Sequence, residues 1–438
     1  MTNSPYCNGA SELKNCYLCF RSDYSENCAY TNTTSRNKDC LDVAFTNDSE
    51  LSYELINSNK CYRAFWAQDC DECHDVWFSK DLTGCSNCIG CINLRNQQYH
   101  VLNQPYTKEE YTVKLSELNL GSLKGVEDFK KRAEEMFLKQ PRKQFHGRKN
   151  VNVTGDYIFN SKNVHDSYMG GNLEDVKYSQ LLKSGPSKDA YDYTMFGLGA
   201  ELIYEAVWVG LTSRNVKFSF WNYGARDIEY SFACHSSGNL FGCIGVRSSE
   251  YCILNKQYSK EDYLELVEKI KKQMSEVPYV DARGNKYYYG EFFPAEFSPW
   301  AYNETSAFEF FPISKDEVIK KGYVWREVDS QEYMPATVTI PDDIKEVTNE
   351  LLEGILKCDD CGKNYKIVKM ELDFYQHMGI SIPRQCPLCR DRARIGALNP
   401  IAIYDRKCAK CGIDIKTSYA PNRTEIVYCE QCYNNEVA

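Results

Sequence analysis

Short segments that alternate hydrophobic and polar residues, separated by Asn, Asp, Ser or Gly, fill two long stretches of this chain. In the first stretch a small residue returns about every 12 positions, with one shorter step: Cys16, Cys28, Cys40, Ser52, Cys61, Cys73 and Cys85. In the second stretch a small or apolar residue returns every 12 to 14 positions: Val164, Val176, Ala190, Ile203, Val216, Ile228 and Leu240.

This spacing is typical of a stacked sheet, so the pattern predicts a β-solenoid in each stretch. A β-sandwich is the alternative, because its strands also recur at about 8 to 12 residues. The pattern does not decide whether one coil of the solenoid uses one repeat unit or two. The predicted fold class is mainly β with capping helices.

The two stretches also resemble each other in sequence. The segment GCINLRNQQYHVLNQPYTKEEY at 90–111 aligns with GCIGVRSSEYCILNKQYSKEDY at 242–263, at a fixed offset of 152 residues. Similarity at one constant offset indicates an internal duplication. The two predicted solenoids are therefore expected to be copies of one another.

Capping signals predict a helix at the end of each repeat. Thr107-x-x-Glu110 and Ser259-x-x-Asp262 each precede apolar residues at helical spacing, as in a capping box or a close variant of it. Such a helix would cover the last strand of the stack, whose open edge would otherwise pair with other chains.

The remaining segments outside the cysteine clusters have distinct patterns. Residues 122–139 predict a second charged helix, and the basic RKQFHGRK at 142–149 is expected to be a solvated hinge rather than a binding arm. Residues 279–341 are aromatic and Pro-rich, which predicts an irregular segment wrapped on the second repeat with its aromatic residues buried. Within it, 314–322 predicts a short helix, and 342–356 predicts an amphipathic helix.

Four Cys-x-x-Cys pairs follow one another near the C-terminus: Cys358 and Cys361, Cys386 and Cys389, Cys408 and Cys411, Cys429 and Cys432. Two residues between thiolates let one tight turn direct both sulfurs at a single ion, and two such pairs complete a tetrahedron. The spacing therefore predicts two small zinc ribbons, each with one structural Zn²⁺ and no open coordination position. Gly362 and Gly412 follow the second Cys of a pair, where a left-handed residue is needed, and Pro387 stiffens another turn.

Basic residues surround these cysteines: Arg384, Arg390, Arg392, Arg394, Arg406, Lys407 and Lys410. They are candidates for contact with nucleic acid or a protein partner. The alternative is an ordinary solvated face, because the module carries little net charge once thiolates and Zn²⁺ are counted.

The eleven N-terminal cysteines, Cys7 to Cys91, have a different explanation. In the alignment of the two repeats, Cys85 matches Ser237 and Cys88 matches Leu240. Small buried residues tolerate such exchanges and metal ligands do not, which favours core positions. A further zinc site remains the alternative at three places: Cys16/Cys19, Cys70/Cys73 and Cys85/Cys88/Cys91.

Composition limits the cellular context. The 22 cysteines occur in a long chain that lacks a signal-peptide pattern and any apolar run long enough to span a membrane, so we expect a cytoplasmic protein with reduced thiols and no disulfide framework. The formal net charge of −9 disfavours electrostatic binding of nucleic acid by the protein surface as a whole.

The segment CDDCGKNYKIVKMELDFYQHMGISIPRQCPLCRDRAR at 358–394 resembles the probable zinc-ribbon domain family, in its CxxCG, E-x-x-FY and PR-x-C-P-x-C-R motifs. Over nearly its whole length the chain resembles large cysteine-rich, mostly uncharacterised proteins of candidate-phyla bacteria and giant viruses. Those proteins combine SxxCYxC repeats, a YGEFFP…SP..YNET segment and paired C-terminal ribbons. The resemblance implies architecture and zinc but no activity, and this chain departs from the pattern by having few cysteines in its second repeat.

No familiar catalytic motif is present, and the six His residues lack metal-ligand or triad spacing. Cys234 and His235 are the best nucleophile and base, but neighbours on a strand point to opposite faces. We therefore expect a non-enzymatic zinc protein, a binding or scaffolding module whose ribbons dock to nucleic acid or a nucleoprotein complex. The alternatives are a self-associating structural component of a larger assembly and a carbohydrate-active enzyme on a β-solenoid.

The predicted division of the chain has six parts: a first β-repeat domain (1–105), a helical cap and linker (106–150), a second β-repeat domain (151–257), a helical cap with the aromatic segment (258–341), a first ribbon with its leading helix (342–400) and a second ribbon (401–438).

Overall fold

The structure, a computed structural model, describes residues 1–182, 185–327 and 333–437. Its first sheet contains nine short strands: β1 (Phe20–Asp23), β2 (Asn32–Ser35), β3 (Leu41–Ala44), β4 (Tyr53–Ile56), β5 (Tyr62–Gln68), β6 (His74–Trp77), β7 (Ser86–Ile89), β8 (Gln98–Val101) and β9 (Gln104–Pro105). Each strand pairs with the next along the chain, in parallel except for β9.

One coil of the first sheet contains 12 residues, since Leu41 pairs with Tyr53 and Tyr53 with Phe65. Within a coil nearly every third residue has a left-handed backbone, including large residues such as Trp66 (φ 50°). Each such residue costs about 1–2 kcal/mol in an L-amino acid chain. Hydrogen bonds between coils offset this cost, as where Arg36 N donates to Asp23 O at 2.9 Å.

The left-handed residues divide each coil into sides of three residues, with one side chain from each side directed inward. The inward residue follows the left-handed one, so Cys40 follows Asp39 and Val43 follows Asp42, and both inward residues are fully buried. Most inward residues are Cys, Ser, Thr, Ala, Val or Leu, because the interior is narrow.

The second sheet has eleven strands: β11 (Gly147–Arg148), β12 (Val151–Phe159), β13 (Lys162–Gly171), β14 (Leu173–Lys177), β15 (Ser187–Gly197), β16 (Ala200–Gly210), β17 (Arg214–Phe220), β18 (Arg226–Glu229), β19 (Gly238–Phe241), β20 (Glu250–Ile253) and β21 (Lys256–Gln257). They also pair in sequence order, and only β20 and β21 are antiparallel. In the parallel pairs, the offset between paired residues ranges from 11, for Val151 with Lys162, to 14, for Leu173 with Ser187.

These parallel sheets do not fit the β-sandwich alternative, whose two sheets are antiparallel. Eight short strands form the remaining two-stranded pairs: β10 (Arg142–Lys143) with β28 (Val427–Tyr428), β22 (Tyr279–Val280) with β23 (Lys286–Tyr287), β24 (Leu356–Lys357) with β25 (Asn364–Tyr365), and β26 (Tyr404–Lys407) with β27 (Asp414–Thr417).

The described residues form eight α-helices: α1 (Lys108–Glu117), α2 (Leu123–Phe137), α3 (Lys260–Glu276), α4 (Ser306–Phe310), α5 (Lys315–Lys320), α6 (Lys369–Met378), α7 (Pro387–Gly396) and α8 (Glu430–Val437). Thr107 and Ser314 make the expected capping boxes, and Ser259 caps α3 by accepting from Asp262 N at 3.1 Å. None of the described helices has the length and apolar character that crossing a membrane requires.

The predicted helix at 342–356 is wrong, because that segment forms two 3₁₀ turns: Ile344–Glu346 and Asn349–Leu352. Asp342 accepts a hydrogen bond from the Ser122 hydroxyl, and Ile344 N donates to Gly121 O at 2.9 Å. These bonds hold the segment against the start of α2, so tertiary contacts override its amphipathic pattern.

The prediction of a solvated hinge at 142–149 is also wrong for its first half. Strand β10 pairs in parallel with β28, and Gln144 N donates to Tyr428 O at 2.9 Å. Arg142 is only 8% exposed. The segment is therefore packed between the first sheet and the C-terminal part of the chain.

The aromatic segment at 279–341 is irregular in its described part, as predicted, and it lies against the second sheet. Tyr289 contacts Phe218 with ring centroids 5.9 Å apart, and Trp300 contacts Phe220 at 6.2 Å. The expected burial holds only in part, because Trp300 is 50% exposed.

A column of outward apolar residues on the first sheet forms one side of the largest core. It repeats every 12 residues: Ala29, Leu41, Tyr53, Phe65, Trp77, Ile89 and Val101. Helices α2 and α6 cover it through residues such as Phe129, Leu372 and Tyr375. A separate cluster joins the two sheets to α7, with Phe45, Met169 and Ile395 among its members.

Candidate metal centres

The eight C-terminal cysteines form two groups of four. Within each group the four Sγ atoms all lie within 4.8 Å of one another. The first ribbon contains Cys358, Cys361, Cys386 and Cys389, and the second contains Cys408, Cys411, Cys429 and Cys432. The Sγ atoms of Cys361 and Cys386 are 3.8 Å apart, and those of Cys411 and Cys429 are 3.9 Å apart. A tetrahedron with Zn–S bonds of about 2.3 Å has edges of about 3.8 Å, so both groups fit Zn²⁺.

Local backbone geometry builds the first pair of each ribbon in the same way. Gly362 (φ 71°) and Gly412 (φ 77°) take the left-handed conformation expected after the second Cys. Gly362 N donates to Cys358 O, and Gly412 N donates to Cys408 O, both at 2.9 Å. These closed turns place the two sulfurs of each pair on one side of the backbone.

Backbone N–H groups favour the thiolate form of the first cysteine in each ribbon. Cys386 N donates to Cys358 Sγ, and Cys429 N donates to Cys408 Sγ, both at 3.2 Å. Burial opposes ionisation, but these backbone donors outweigh it and lower the pKa of Cys358 to about 7 and that of Cys408 to about 6. Thiolates are the form that binds zinc.

The second pair of each ribbon lies at the start of a helix. Cys386 is the N-cap of α7 and Pro387 is its first residue, as Pro often is. Cys429 directly precedes α8. Because both ribbons supply four sulfurs, a bound ion would have a closed shell, which is the arrangement of structural rather than catalytic zinc.

The N-terminal cysteines make no comparable group among the described residues. Cys28 Sγ donates to Glu26 O at 3.2 Å and Cys40 Sγ donates to Lys38 O at 3.2 Å. Burial raises the pKa of Cys28, so that its thiol stays neutral. All 22 cysteines carry free thiols. The structure supports core positions for these residues and does not gather ligands at Cys16/Cys19, Cys70/Cys73 or Cys85/Cys88/Cys91.

Two of the basic candidates, Arg390 and Arg394, are buried inside the protein. Arg394 Nη1 donates to Asp42 Oδ1 at 2.8 Å, and Arg390 Nη2 donates to Glu371 Oε1 at 3.0 Å. The Tyr30 ring lies 4.9 Å from the guanidinium carbon of Arg390. The expectation that these two arginines contact a partner is therefore wrong, because they join the first ribbon to the first sheet.

The other basic candidates are partly or fully exposed. Arg384 donates to Pro341 O at 2.8 Å and Arg406 donates to Glu425 O at 3.2 Å, so both are used within the chain. Lys407 pairs with Asp414 at 2.8 Å and Lys410 pairs with Glu436 at 2.5 Å, both on the surface. Arg392 is exposed on α7.

Cys234 and His235 do not form a catalytic pair. Cys234 is fully buried and its thiol donates to Phe232 O at 3.5 Å, whereas the His235 ring lies 4.9 Å from that of Tyr223.

The buried acids Asp42 and Glu371 were not among the predicted site residues. Asp42 has no local sequence signal, whereas Glu371 is the acid of the E-x-x-FY motif at 371–375. The apolar column on the first sheet does have one, its 12-residue repeat, and it marks the face that the ribbon covers.

Comparisons with known proteins add little to this geometry. No protein family and no curated protein matches the sequence. One solved structure that aligns with this chain is a crystal structure of a proposed acetyltransferase from Desulfovibrio desulfuricans G20. The alignment covers 64% of this chain and 86% of the acetyltransferase chain, with 8% sequence identity and a TM-score of 0.11. At that TM-score the similarity supports no conclusion about fold or activity.

Proposed function

We propose that this protein is a non-catalytic scaffold or binding module, built from two duplicated β-solenoids that two structural Zn²⁺ ions hold together. The observation that carries this proposal is the pair of four-cysteine groups with sulfurs within 4.8 Å. Four thiolates leave no position for a water or a substrate, so metal there would serve architecture.

The ends of the two sheets support the duplication. In the first, the Asn103 side chain accepts from Ile92 N at 2.8 Å and donates to Ile92 O at 2.9 Å. In the second, Asn255 makes the same two bonds to Ile244, both at 2.8 Å. A short antiparallel strand and then a helix capped by Thr107 or by Ser259 follow in each case.

The position of the ribbons indicates how zinc would act. The first ribbon carries α7, whose Ile395 lies in the cluster that joins both sheets. The second ribbon supplies β28, which pairs with β10 in the connection between the sheets. Zinc binding would thus stabilise two separate contacts between the ribbons and the rest of the chain. The reason is that the free energy of metal binding at such sites contributes directly to the folding of the ribbon.

The surface of the scaffold suggests a protein or nucleoprotein partner in a reducing compartment. Phe297 and Trp300 of the aromatic segment are 55% and 50% exposed, and exposed aromatic residues are typical of contact surfaces. Of the seven basic candidates, Arg392, Lys407 and Lys410 are the three at exposed positions, where they could contact a nucleic acid. Retention on an RNA column that falls with salt and is lost in R392A/K407A/K410A would support that partner, and retention that the triple variant leaves unchanged would exclude it.

Two single substitutions test the proposed role of zinc. Cys361→Ser and Cys411→Ser should each remove one Zn²⁺ per chain and make the corresponding ribbon sensitive to limited proteolysis, while the far-UV circular dichroism of the sheets persists. Cys40→Ser, a matched change in the interior of the first sheet, should keep both ions. A Cys361→Ser variant with full zinc content and an intact ribbon would contradict the proposal.

A further inference from the structure

A polar cavity of about 420 Å³ lies where four parts of the chain meet. Its wall includes Lys80 of the first sheet, Arg142 and His146 of the connecting segment, Phe159 of the second sheet and Tyr419 of the second ribbon. Small-molecule sites in proteins typically measure about 300 to 1,000 Å³, so the cavity is large enough for a ligand.

The carboxylates of this wall have cationic neighbours. Asp71 is paired with Arg148, and Asp81 Oδ1 accepts from Arg95 Nη2 at 3.0 Å. Within each pair the positive and negative charges cancel, so neither pair leaves a net charge that would attract a ligand.

The third carboxylate, Asp69, faces an imidazole. His146 Nε2 lies 3.9 Å from Asp69 Oδ2, and His146 Nδ1 lies 3.0 Å from Asp156 Oδ2. Burial by itself lowers the pKa of His146, but the Asp156 and Asp69 carboxylates outweigh it and raise the pKa above its usual value. A protonated His146 compensates both acids in part.

Two cations of the wall, Lys80 and Arg142, have no carboxylate within 4 Å in the described part of the chain. Lys80 Nζ donates to the neutral Gln68 side chain at 3.1 Å. Arg142 is 8% exposed, and its buried Nη1 has no hydrogen-bond partner among the described residues. An unsatisfied buried donor costs about 1–3 kcal/mol, and more when it is charged, so an acceptor at this point is strongly favoured.

We propose that this cavity binds a phosphate-bearing small molecule, whose phosphoryl oxygens accept hydrogen bonds from Arg142 and Lys80. A guanidinium matches phosphate geometry through paired N–H donors, and a lysine adds a point charge. The cavity is larger than phosphate alone, and it offers asparagine side chains, including Asn160 and Asn172, to the hydroxyl groups of a sugar-sized remainder.

Calorimetric titration of the zinc-loaded full chain tests this site with three probes. Inorganic phosphate and ribose 5-phosphate should bind, the second more tightly, and ribose should not. Lys80→Gln and Arg142→Gln should each weaken the binding of ribose 5-phosphate about tenfold or more, as expected for loss of a charged hydrogen bond. Lys60→Gln, the same change at an exposed lysine of the first sheet outside the cavity, should alter affinity by less than about twofold.

A gain of affinity provides a control that misfolding cannot imitate. Asp69→Asn removes a negative charge from the cavity wall, one whose field acts on Lys80, and should tighten the binding of both phosphate probes severalfold. The proposal is overturned if neither phosphate binds, if ribose binds as well as ribose 5-phosphate, or if Asp69→Asn weakens binding while zinc content and circular dichroism stay unchanged.

Discussion

The inward residues of the first sheet have little room, so the size of each side chain decides how well a coil closes. Cys28 and Cys40 are fully buried, and each thiol donates to a backbone carbonyl of its own coil. Cysteine suits this position because it is small and a weak donor. Its abundance in the N-terminal half then follows from packing and needs no metal.

Two substitutions at Cys40 separate packing from metal binding. Cys40→Ala should lower the free energy of unfolding by about 1 kcal/mol, through loss of one buried heavy atom. Cys40→Leu should lower it by about 1–3 kcal/mol, because the interior cannot expand without strain. Urea denaturation checks both values. Loss of zinc from Cys40→Ala would show that this thiol is a ligand.

Glu54 gives the fold a pH dependence at the level of one residue. Burial raises its pKa to about 7, against the opposing effect of Arg394. A carboxyl with a raised pKa in the folded state contributes stability below its unfolded pKa, and that contribution is lost as pH rises through the folded value. From pH 6 to 7.5 the wild type should therefore lose about 1 kcal/mol of unfolding free energy relative to Glu54→Gln. Equal pH profiles for the two proteins would contradict this.

At the scale of elements, the repeats could be predicted from the sequence because each coil bonds to the next coil along the chain, about 12 residues away, so the pattern recurs locally. The finer period was also present in the sequence. All eleven N-terminal cysteines occupy positions that differ by multiples of three, from Cys7 to Cys91, as sides of three residues require. The 12-residue spacing alone does not give the number of sides. The apolar column shares that spacing, but its outward position on the coil follows only once the three-residue sides are known.

Contacts between elements could not be predicted, because they depend on residues far apart in the chain. Asp42 and Arg390 are separated by 348 positions, and nothing near either of them marks the other as its partner. The predicted helix at 342–356 failed for the same reason, since its backbone bonds are made to the start of α2. The four-cysteine groups were predictable because each ion would take its ligands at short, regular spacing.

Helix α7 offers a matched test of the buried ion pairs. Arg394→Met leaves the Asp42 carboxylate buried with one cation fewer and should cost about 3–5 kcal/mol of unfolding free energy. Arg392→Met, on the exposed face of the same helix, should change stability by less than about 0.5 kcal/mol. Urea denaturation at constant zinc checks both values. Equal stability of the Arg394→Met and Arg392→Met variants would mean that the buried ion pairs do not help to hold the first ribbon on the first sheet.

At the scale of the whole molecule, the C-terminal third of the chain returns to cover the first sheet and to enter the contact between the sheets. Tyr53, Phe65 and Trp77 of the first sheet share one core with Leu372 and Tyr375 of α6. The first ribbon is therefore part of the main hydrophobic core, and its unfolding would uncover the apolar column of the first sheet.

Removal of metal should expose that shared core. Trp77 is 8% exposed, so chelation should shift the tryptophan fluorescence emission to longer wavelength, and the shift should shrink in Trp77→Phe. Readdition of Zn²⁺ should reverse it. An emission spectrum that chelation leaves unchanged would show that the core does not depend on the ribbons.

The most direct test of the whole account is the zinc stoichiometry of the intact chain, measured by native mass spectrometry. The two C-terminal four-cysteine groups predict two Zn²⁺ per chain, falling to one in either Cys361→Ser or Cys411→Ser. Three or more ions, or a chain that folds with none, would contradict the central claim.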